Sequence, residues 1–423
     1  MNAYETMTPQ QRQQETLRLR ARYEALRDMD LRLDMSRGKP GKEQLDLVSG
    51  MLTVLQDPAD CLLDETDVRN YGQLSGLRAA KELFADILGC KASECFVGGN
   101  ASLQLMYDTI AKAYTHGLLH SPRPWSKEAC VRFLCPSPGY DRHFKISQSF
   151  GMELITIPML PTGPDMDLVE AYVKDPQVKG IWCVPKYSNP DGIIYDDATV
   201  ARLAALRPAA PDFALMWDNA YCVHEFEGAF VPFADILSLC RAQGNADMVY
   251  EFASTSKITF PGGGISVLAA SEDNQRYLQA LMAIQIISYD KVNQLRHVRY
   301  LQDRDHVLAL MARHAEILRP KFHCVLDLLE REIAPLGLAS WQKPKGGYFI
   351  SVNTLPGLAK RTLELCAQAG VKMTPAGATF PYGKDPSDRN IRIAPSVPPV
   401  EQLSQAMEVF CVCLKLAALE ALA

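Results

Sequence analysis

Lys257 stands in a stretch of mixed chemistry, D-M-V-Y-E-F-A-S-T-S-K-I-T-F-P-G-G-G-I-S over residues 247–266. The apolar run at 248–253 predicts a short buried strand, and the turn after it carries three hydroxyls, the lysine and a glycine triplet. Lys257 therefore falls at a strand's carboxyl end, outside which α/β sheets collect ligands. A lysine with the ordinary pKa of about 10.4 is a poor nucleophile at neutral pH, so a reactive one must be desolvated or held as a Schiff base. Alone, a lysine after a strand reads as a solvated surface charge, and its neighbours decide what it is.

Asp218 is the most informative neighbour. It ends the apolar run A-L-M-W-D, and a carboxylate buried there is costly unless it meets a cation or several donors. The following N-A-Y-C-V-H-E-F stays fairly apolar, which disfavours escape to solvent. A protonated ring nitrogen on a cofactor would satisfy the requirement. Asn189 lies in the turn S-N-P-D-G, after the strand-like G-I-W-C-V-P.

These residues need a frame. From Val131 onward strand and helix patterns alternate regularly, which predicts a mostly parallel sheet with helices on both faces. Asn189, Asp218 and Lys257 then leave three strands at the same sheet edge. Further back, E-C-F-V meets G-G-N-A-S-L, where Gly98 and Gly99 open a helix whose free N–H groups could take a phosphate. The loop is neither a Walker loop nor a dinucleotide fingerprint. In N-Y-G-Q-L-S-G, Ser75 is expected to cap a helix with Leu77, Leu83, Phe84 and Ile87 facing a core and Gly89 ending it; Tyr71 precedes the cap. Thr8, Pro9 and Gln11 predict a capped helix running to about Asp30, with Leu19, Tyr23, Leu26 and Met29 on its apolar stripe. It leads to S-R-G-K-P, where Gly38 permits a close turn between Arg37 and Lys39; a solvated basic loop and a ligand loop fit this stretch equally.

Composition narrows the class. The chain has 423 residues and a net charge of -5, which argues against a nucleic-acid footprint. Its 12 cysteines are scattered through apolar runs, with no C-x-x-C and no H-E-x-x-H, so reduced thiols and no metal site are expected. Neither a signal core nor an apolar run long enough to span a bilayer is evident, and the expected location is cytoplasmic.

Asp218, S-N-P-D-G at Asn189 and S-T-S-K at Lys257, together with S-R-G-K-P, N-Y-G-Q-L-S-G, V-G-G-N-A-S-L, P-S-P-G-Y-D and N-I-R-I-A-P-S, resemble fold-type I aminotransferases that use pyridoxal 5'-phosphate. The similarity covers nearly the whole chain and points to the divergent aspartate aminotransferase subgroup called class Ic or MocR-like. It implies an α/β fold-type I transferase with a mostly parallel central sheet, helices on both faces and a smaller α+β domain. Residues 1–49 would form an N-terminal arm and part of the small domain, 50–313 the large cofactor-binding domain, and 314–423 the C-terminal small domain.

By the same resemblance, Lys257 would carry the cofactor and act as general base, and Asp218 would keep the pyridine nitrogen protonated. Tyr221 and Asn189 would bond the 3'-oxygen, and Tyr140 would stack on the ring. Gly99, Asn100 and Ala101 would take the phosphate with Ser254 and Ser256, and Tyr71 would reach the phosphate of the neighbouring subunit in a homodimer. Arg392 would grip the substrate α-carboxylate, with Gly38 closing over it. Arg37 and Lys39 are both candidates for the distal carboxylate. One position departs from the family: the phosphate-binding arginine eight residues after the lysine is replaced by Ile265. The expected reaction is L-aspartate plus 2-oxoglutarate to oxaloacetate plus L-glutamate, by a ping-pong route. Alternatives on the same scaffold are another donor, a β-lyase, a decarboxylase, or a non-catalytic MocR-like regulator that binds the cofactor.

Overall fold

The structure is a computed structural model that describes residues 2–422. Its centre is an eight-stranded sheet, whose strands are numbered here along the chain: β1 Cys95–Gly98, β2 Arg132–Ser137, β3 Glu153–Leu160, β4 Gly163–Pro164, β5 Val178–Cys183, β6 Ala214–Asp218, β7 Val249–Ser254 and β8 Ser266–Ala270. The spatial order is β1-β8-β7-β6-β5-β2-β3-β4. From β7 to β3 every neighbouring pair is parallel, while β8 runs antiparallel to both β7 and β1, and β4 antiparallel to β3. The sheet is therefore mixed, with the expected parallel block in its middle.

Side-chain alternation divides the core into two faces. Leu215 and Trp217 of β6 join one apolar cluster with Val249 and Val267. Ala214 and Met216 join another with Phe252, Leu268 and Trp182. Asp218, two residues on from Met216, belongs to that second face, which the helix Asp141–Ser149 covers through Phe144 and Ile146. Parallel packing of β5, β6 and β7 then brings their carboxyl ends to a common edge.

The N-terminal helix Pro9–Arg27 begins as its sequence dictates. Thr8 Oγ1 accepts from the Gln11 N–H at 3.2 Å, and Gln11 Oε1 accepts from the Thr8 N–H at 2.8 Å. The helix ends three residues short of Asp30, so Leu19, Tyr23 and Leu26 are buried while Met29 is exposed. Ser75 does not cap the next long helix, which is Arg78–Leu88 with Leu77 at its N-cap. The Leu77 N–H donates instead to Gln294 Oε1 at 2.8 Å, so a distant side chain does the work expected of the local serine.

A third apolar cluster joins the N-terminal helix to the C-terminal third of the chain, including the three-stranded sheet Ala339–Trp341, Ile350–Thr354 and Asn390–Ile393. The helix Arg304–Glu332 serves two cores: Val307, Leu310 and Met311 pack with the main sheet, whereas Ala315, Leu318 and Phe322 pack with the terminal segments. The closing helix Val400–Glu420 is long and apolar enough to cross a bilayer, a feature the sequence reading missed, but 78% of its most apolar stretch is buried inside the protein. It is a core helix, held against Pro9–Arg27 and Arg304–Glu332.

Candidate active site

Three loops leaving the parallel strands, together with the strand Asn390–Ile393, build a polar cleft. Asp218 is buried at the end of β6. His143 Nε2 donates to its Oδ2 at 2.9 Å, while its Oδ1 is buried with no hydrogen-bond partner. His143 lies flat on Trp182, with ring centroids 4.4 Å apart and planes 9° from parallel, and the Trp182 indole N–H donates to Ser147 Oγ at 2.9 Å. The imidazole is thus fixed before it meets the carboxylate. Tyr140, at the N-cap of the same helix, stands edge-on to His143 at 4.9 Å. Burial first, then the charges of Asp218 and Asp141, push its phenol up to about 12.

Lys257 sits three residues beyond β7, its Nζ 5.1 Å from the Tyr221 ring centroid and 6.0 Å from that of Tyr348. Desolvation by the surrounding protein lowers its pKa, and the Asp218 carboxylate opposes that shift. An amine placed this way is closer to its neutral, nucleophilic form than a surface lysine. Tyr221 is buried, which raises its phenol pKa well above the ordinary value.

Arg392 is buried and well anchored. Its Nη1 donates to Asn189 Oδ1 at 3.1 Å and to Asp141 Oδ1 at 3.4 Å, its Nε donates to Thr374 Oγ1 at 3.4 Å, and its guanidinium carbon lies 4.7 Å from the Phe349 ring centre. Gly38 lies against this group: a Cβ there would stand 2.5 Å from Phe349 Cζ, so only glycine lets the N-terminal segment come so close. Arg37 and Lys39, on either side, are exposed, and neither forms an ion pair among the described residues.

The third part lies where β1 gives way to the helix Ser102–Thr115. Ala101 is its N-cap, and the N–H groups of Asn100 and Ala101 donate to no protein acceptor among the described residues. Ser254 Oγ donates to Ser256 Oγ at 3.0 Å, and Ser256 Oγ to the Asn100 carbonyl at 3.0 Å, so both hydroxyls stand beside the open helix end. A Cβ on Gly99 would come 3.5 Å from the Tyr289 ring, which places Tyr289 at this rim as well. Ile265 is in the core, its N–H on Thr255 Oγ1 at 3.0 Å, so no cation stands at that position. Tyr71 is 79% exposed and takes no part in the cleft within the single chain.

The donor set fits pyridoxal 5'-phosphate. The orphaned Oδ1 of Asp218 asks for a donor such as a protonated pyridine nitrogen, Lys257 and Tyr221 stand near that carboxylate, and unpaired N–H groups with two hydroxyls form an anion cradle. Sequence reading missed His143, Trp182, Tyr348, Phe349, Thr374 and Asp141. Of these only His143 carried a usable signal: it and Ser147 are four apart, on one face of a predicted helix.

Comparison with known proteins agrees with this geometry. The family model described as aspartate amino-transferase matches residues 7–423. The chain belongs to the aspartate aminotransferase family. Pyridoxal 5'-phosphate is the cofactor of that fold, and the fold-type I architecture expected from the sequence stands. This aminotransferase is 48% identical over 403 residues to a Mycolicibacterium smegmatis protein carrying an aminotransferase name, across 95% of this chain and 94% of that one. It is 44% identical over 402 residues to the aspartate aminotransferase of Corynebacterium glutamicum, across 95% and 93%. The crystal structure of an aspartate transaminase from Corynebacterium glutamicum superposes with a TM-score of 0.97 at 43% identity, covering 100% of both chains.

Proposed function

We propose that this aminotransferase moves the amino group of L-aspartate to 2-oxoglutarate, giving oxaloacetate and L-glutamate in two half-reactions. The observation that carries the reading is Asp218, with one oxygen fixed by His143 and the other buried and free, beside the desolvated Lys257. The dicarboxylate donor rests on the 44% identity to a protein named aspartate aminotransferase, and the buried Arg392 supports an amino-acid substrate through its α-carboxylate.

When bound, pyridoxal 5'-phosphate supplies an electron sink for the pair left on the substrate Cα. Asp218 Oδ1 accepts the ring N–H and holds the proton there, because an adjacent carboxylate favours the charged ring. Arg392 orients the substrate through its α-carboxylate with two parallel N–H groups, a fork that lysine lacks. Lys257 Nζ would take the proton from Cα as general base, a role its lowered pKa suits. Asn189 and Tyr221 would bond the ring oxygen, Tyr140 would cover the ring, and Ser254 and Ser256 with the N–H groups of Gly99, Asn100 and Ala101 would hold the phosphate. Either Arg37 or Lys39 serves the distal carboxylate.

Assembly and organisation belong to the same proposal. Tyr71, exposed in one chain, completes the phosphate site of a second copy, which requires a homodimer. The switch of core along Arg304–Glu332, between Met311 and Ala315, supports a boundary near residue 313 between a cofactor-binding domain and a small domain shared by both termini. The 12 cysteines all stand free, as suits a reducing cytoplasm. Assignment to the MocR-like class Ic subgroup rests on the sequence resemblance.

A cofactor-loaded preparation should show a visible absorbance band that moves to shorter wavelength with L-aspartate and returns with 2-oxoglutarate. Turnover with alanine or an aromatic amino acid, and none with aspartate, overturns the donor. A band absent even after incubation with the cofactor overturns the site.

A further inference from the structure

Beyond the Asn189 loop, where the outer end of the main sheet faces the three-stranded sheet, lies a recess of about 190 Å³. Its polar wall consists of Asp191, Ser340, Gln342, Ser351 and Asn353, with Trp341 beside them. Each of those five side chains offers an oxygen acceptor, and among the described residues no lysine, arginine or histidine lines the recess. Neighbouring hydrogen bonds tighten this wall: Asn390 Nδ2 donates to Ser351 Oγ and to Asn353 Oδ1, both at 2.9 Å.

Asp191 forms no ion pair among the described residues. Burial raises its pKa to about 6, and a hydrogen bond from Ser351 opposes that shift. The group keeps some exposed surface, as do Ser340 and Gln342 on the same wall, and the other side of the recess is apolar, formed by Met159, Leu160, Pro161 and Ile193. At neutral pH a carboxyl with that pKa is still mostly ionised. The recess thus offers one negative charge and several neutral oxygens, with no protein cation among the described residues, to a cation that enters it.

The chemistry of the wall selects the ion. Divalent cations with oxygen ligands draw in more carboxylates, and no group of three acidic, thiol or imidazole side chains exists among the described residues. One charge among neutral oxygens suits a monovalent cation, to which an indole adds cation–π attraction. A water occupies about 30 Å³ of liquid, so the recess is roomy enough for an ion that keeps part of its hydration shell.

We propose that this recess binds a small monovalent cation, a potassium or ammonium ion, between Asp191 and the oxygens of Ser340, Gln342, Ser351 and Asn353. Asp191 lies two residues beyond Asn189, and Ser351 is the cross-strand partner of Arg392. A cation joining the two walls therefore braces the loop and the strand whose side chains meet in the Arg392–Asn189 hydrogen bond. Occupancy should act on substrate grip, and hence on KM, more than on kcat.

The test uses the cofactor-loaded protein in lithium, sodium, potassium, rubidium and ammonium chlorides at one ionic strength. Potassium, rubidium and ammonium should raise the thermal midpoint saturably, by about 2 °C over lithium. They should also lower KM for aspartate severalfold with little change in kcat. Asp191→Asn should abolish both responses while keeping the lithium-buffer activity. Crystals soaked in rubidium should show an anomalous scattering peak in the recess, a readout that stands even if the variant does not fold. Equal midpoints in all five salts, a cation response retained by Asp191→Asn, or no rubidium in the recess would each overturn the proposal. The midpoint and scattering results are independent of the aminotransferase reading, on which only the KM result rests.

Discussion

At the Asp218 end of the cleft the polar groups are side chains locked between buried aromatics, whereas at the Ala101 end they are backbone N–H groups and small hydroxyls on loops. His143 is held by Trp182 before it bonds Asp218, and Arg392 by Phe349, Thr374 and Asn189. At the other end Ile265 has withdrawn into the core and Tyr71 points to solvent. The difference teaches that charge placement is complete within one chain at the first end. At the second end the single chain offers dipoles and hydroxyls alone, and a second copy would add to them. Substitutions at the first end should therefore show in kcat or KM, and those at the second in cofactor affinity.

The largest effect should come from Lys257→Ala, with kcat down by about 10⁴-fold or more, since the general-base and covalent roles proposed for it would both be lost. Asp218→Asn keeps the shape and removes the charge, and should cost about 10²- to 10³-fold in kcat. Stopped-flow and steady-state assays with aspartate measure both; a variant that loses cofactor affinity but keeps kcat when saturated would erase the distinction between the two ends. Next, Arg392→Lys should raise KM for aspartate by about 10- to 100-fold, the cost of giving up a charged, two-pronged hydrogen bond. An unchanged KM would mean that the α-carboxylate binds elsewhere.

Smaller effects belong to the Ala101 end. Ser256→Ala should weaken pyridoxal 5'-phosphate binding about fivefold, with kcat unchanged at saturation. Tyr71→Phe should weaken it by a similar factor, and mixing it with Lys257→Ala chains should yield hybrid dimers that test whether Tyr71 serves the other copy's site. A monomeric protein with full cofactor affinity would contradict this division of labour.

A last effect, read in stability and not in turnover, concerns the sheet face opposite Asp218. Glu251, on β7 directly opposite Trp217, is buried; burial pushes its pKa up to about 8, against a hydrogen bond from Asn219 that lowers it. The folded chain then keeps a proton that the unfolded chain has released, across the window from the ordinary carboxylate pKa up to about 8. Folding stability is greatest below that window and falls as pH rises through it. Urea midpoints of the parent should drop between about pH 5 and about pH 8.5 more steeply than those of Glu251→Gln. Parallel slopes would show that Glu251 is ionised in the folded chain.

Much of this arrangement was legible before any coordinates. Alternation of short apolar runs with amphipathic segments predicted the parallel block, and strand ends placed Asn189, Asp218 and Lys257 at one edge. Local rules also succeeded where the interaction is local, as in the Thr8–Gln11 capping box. They failed at Ser75, because Gln294, 217 positions from Leu77, takes over the helix end. They also did not bring His143 to Asp218, since that contact joins a helix to a strand 75 positions away.

By itself, then, the sequence determined the elements, the sheet edge where chemistry collects, the family and the cofactor, because periodicity, turn residues and motif order are written along the chain. The tertiary structure decided which oxygen of Asp218 is free, how Arg392 is anchored, that Gly38 must lack a side chain, and that Asp191 faces a recess of acceptors. Those facts depend on distances between residues far apart in sequence, and burial and hydrogen bonding acquire a value only once packing has fixed those distances.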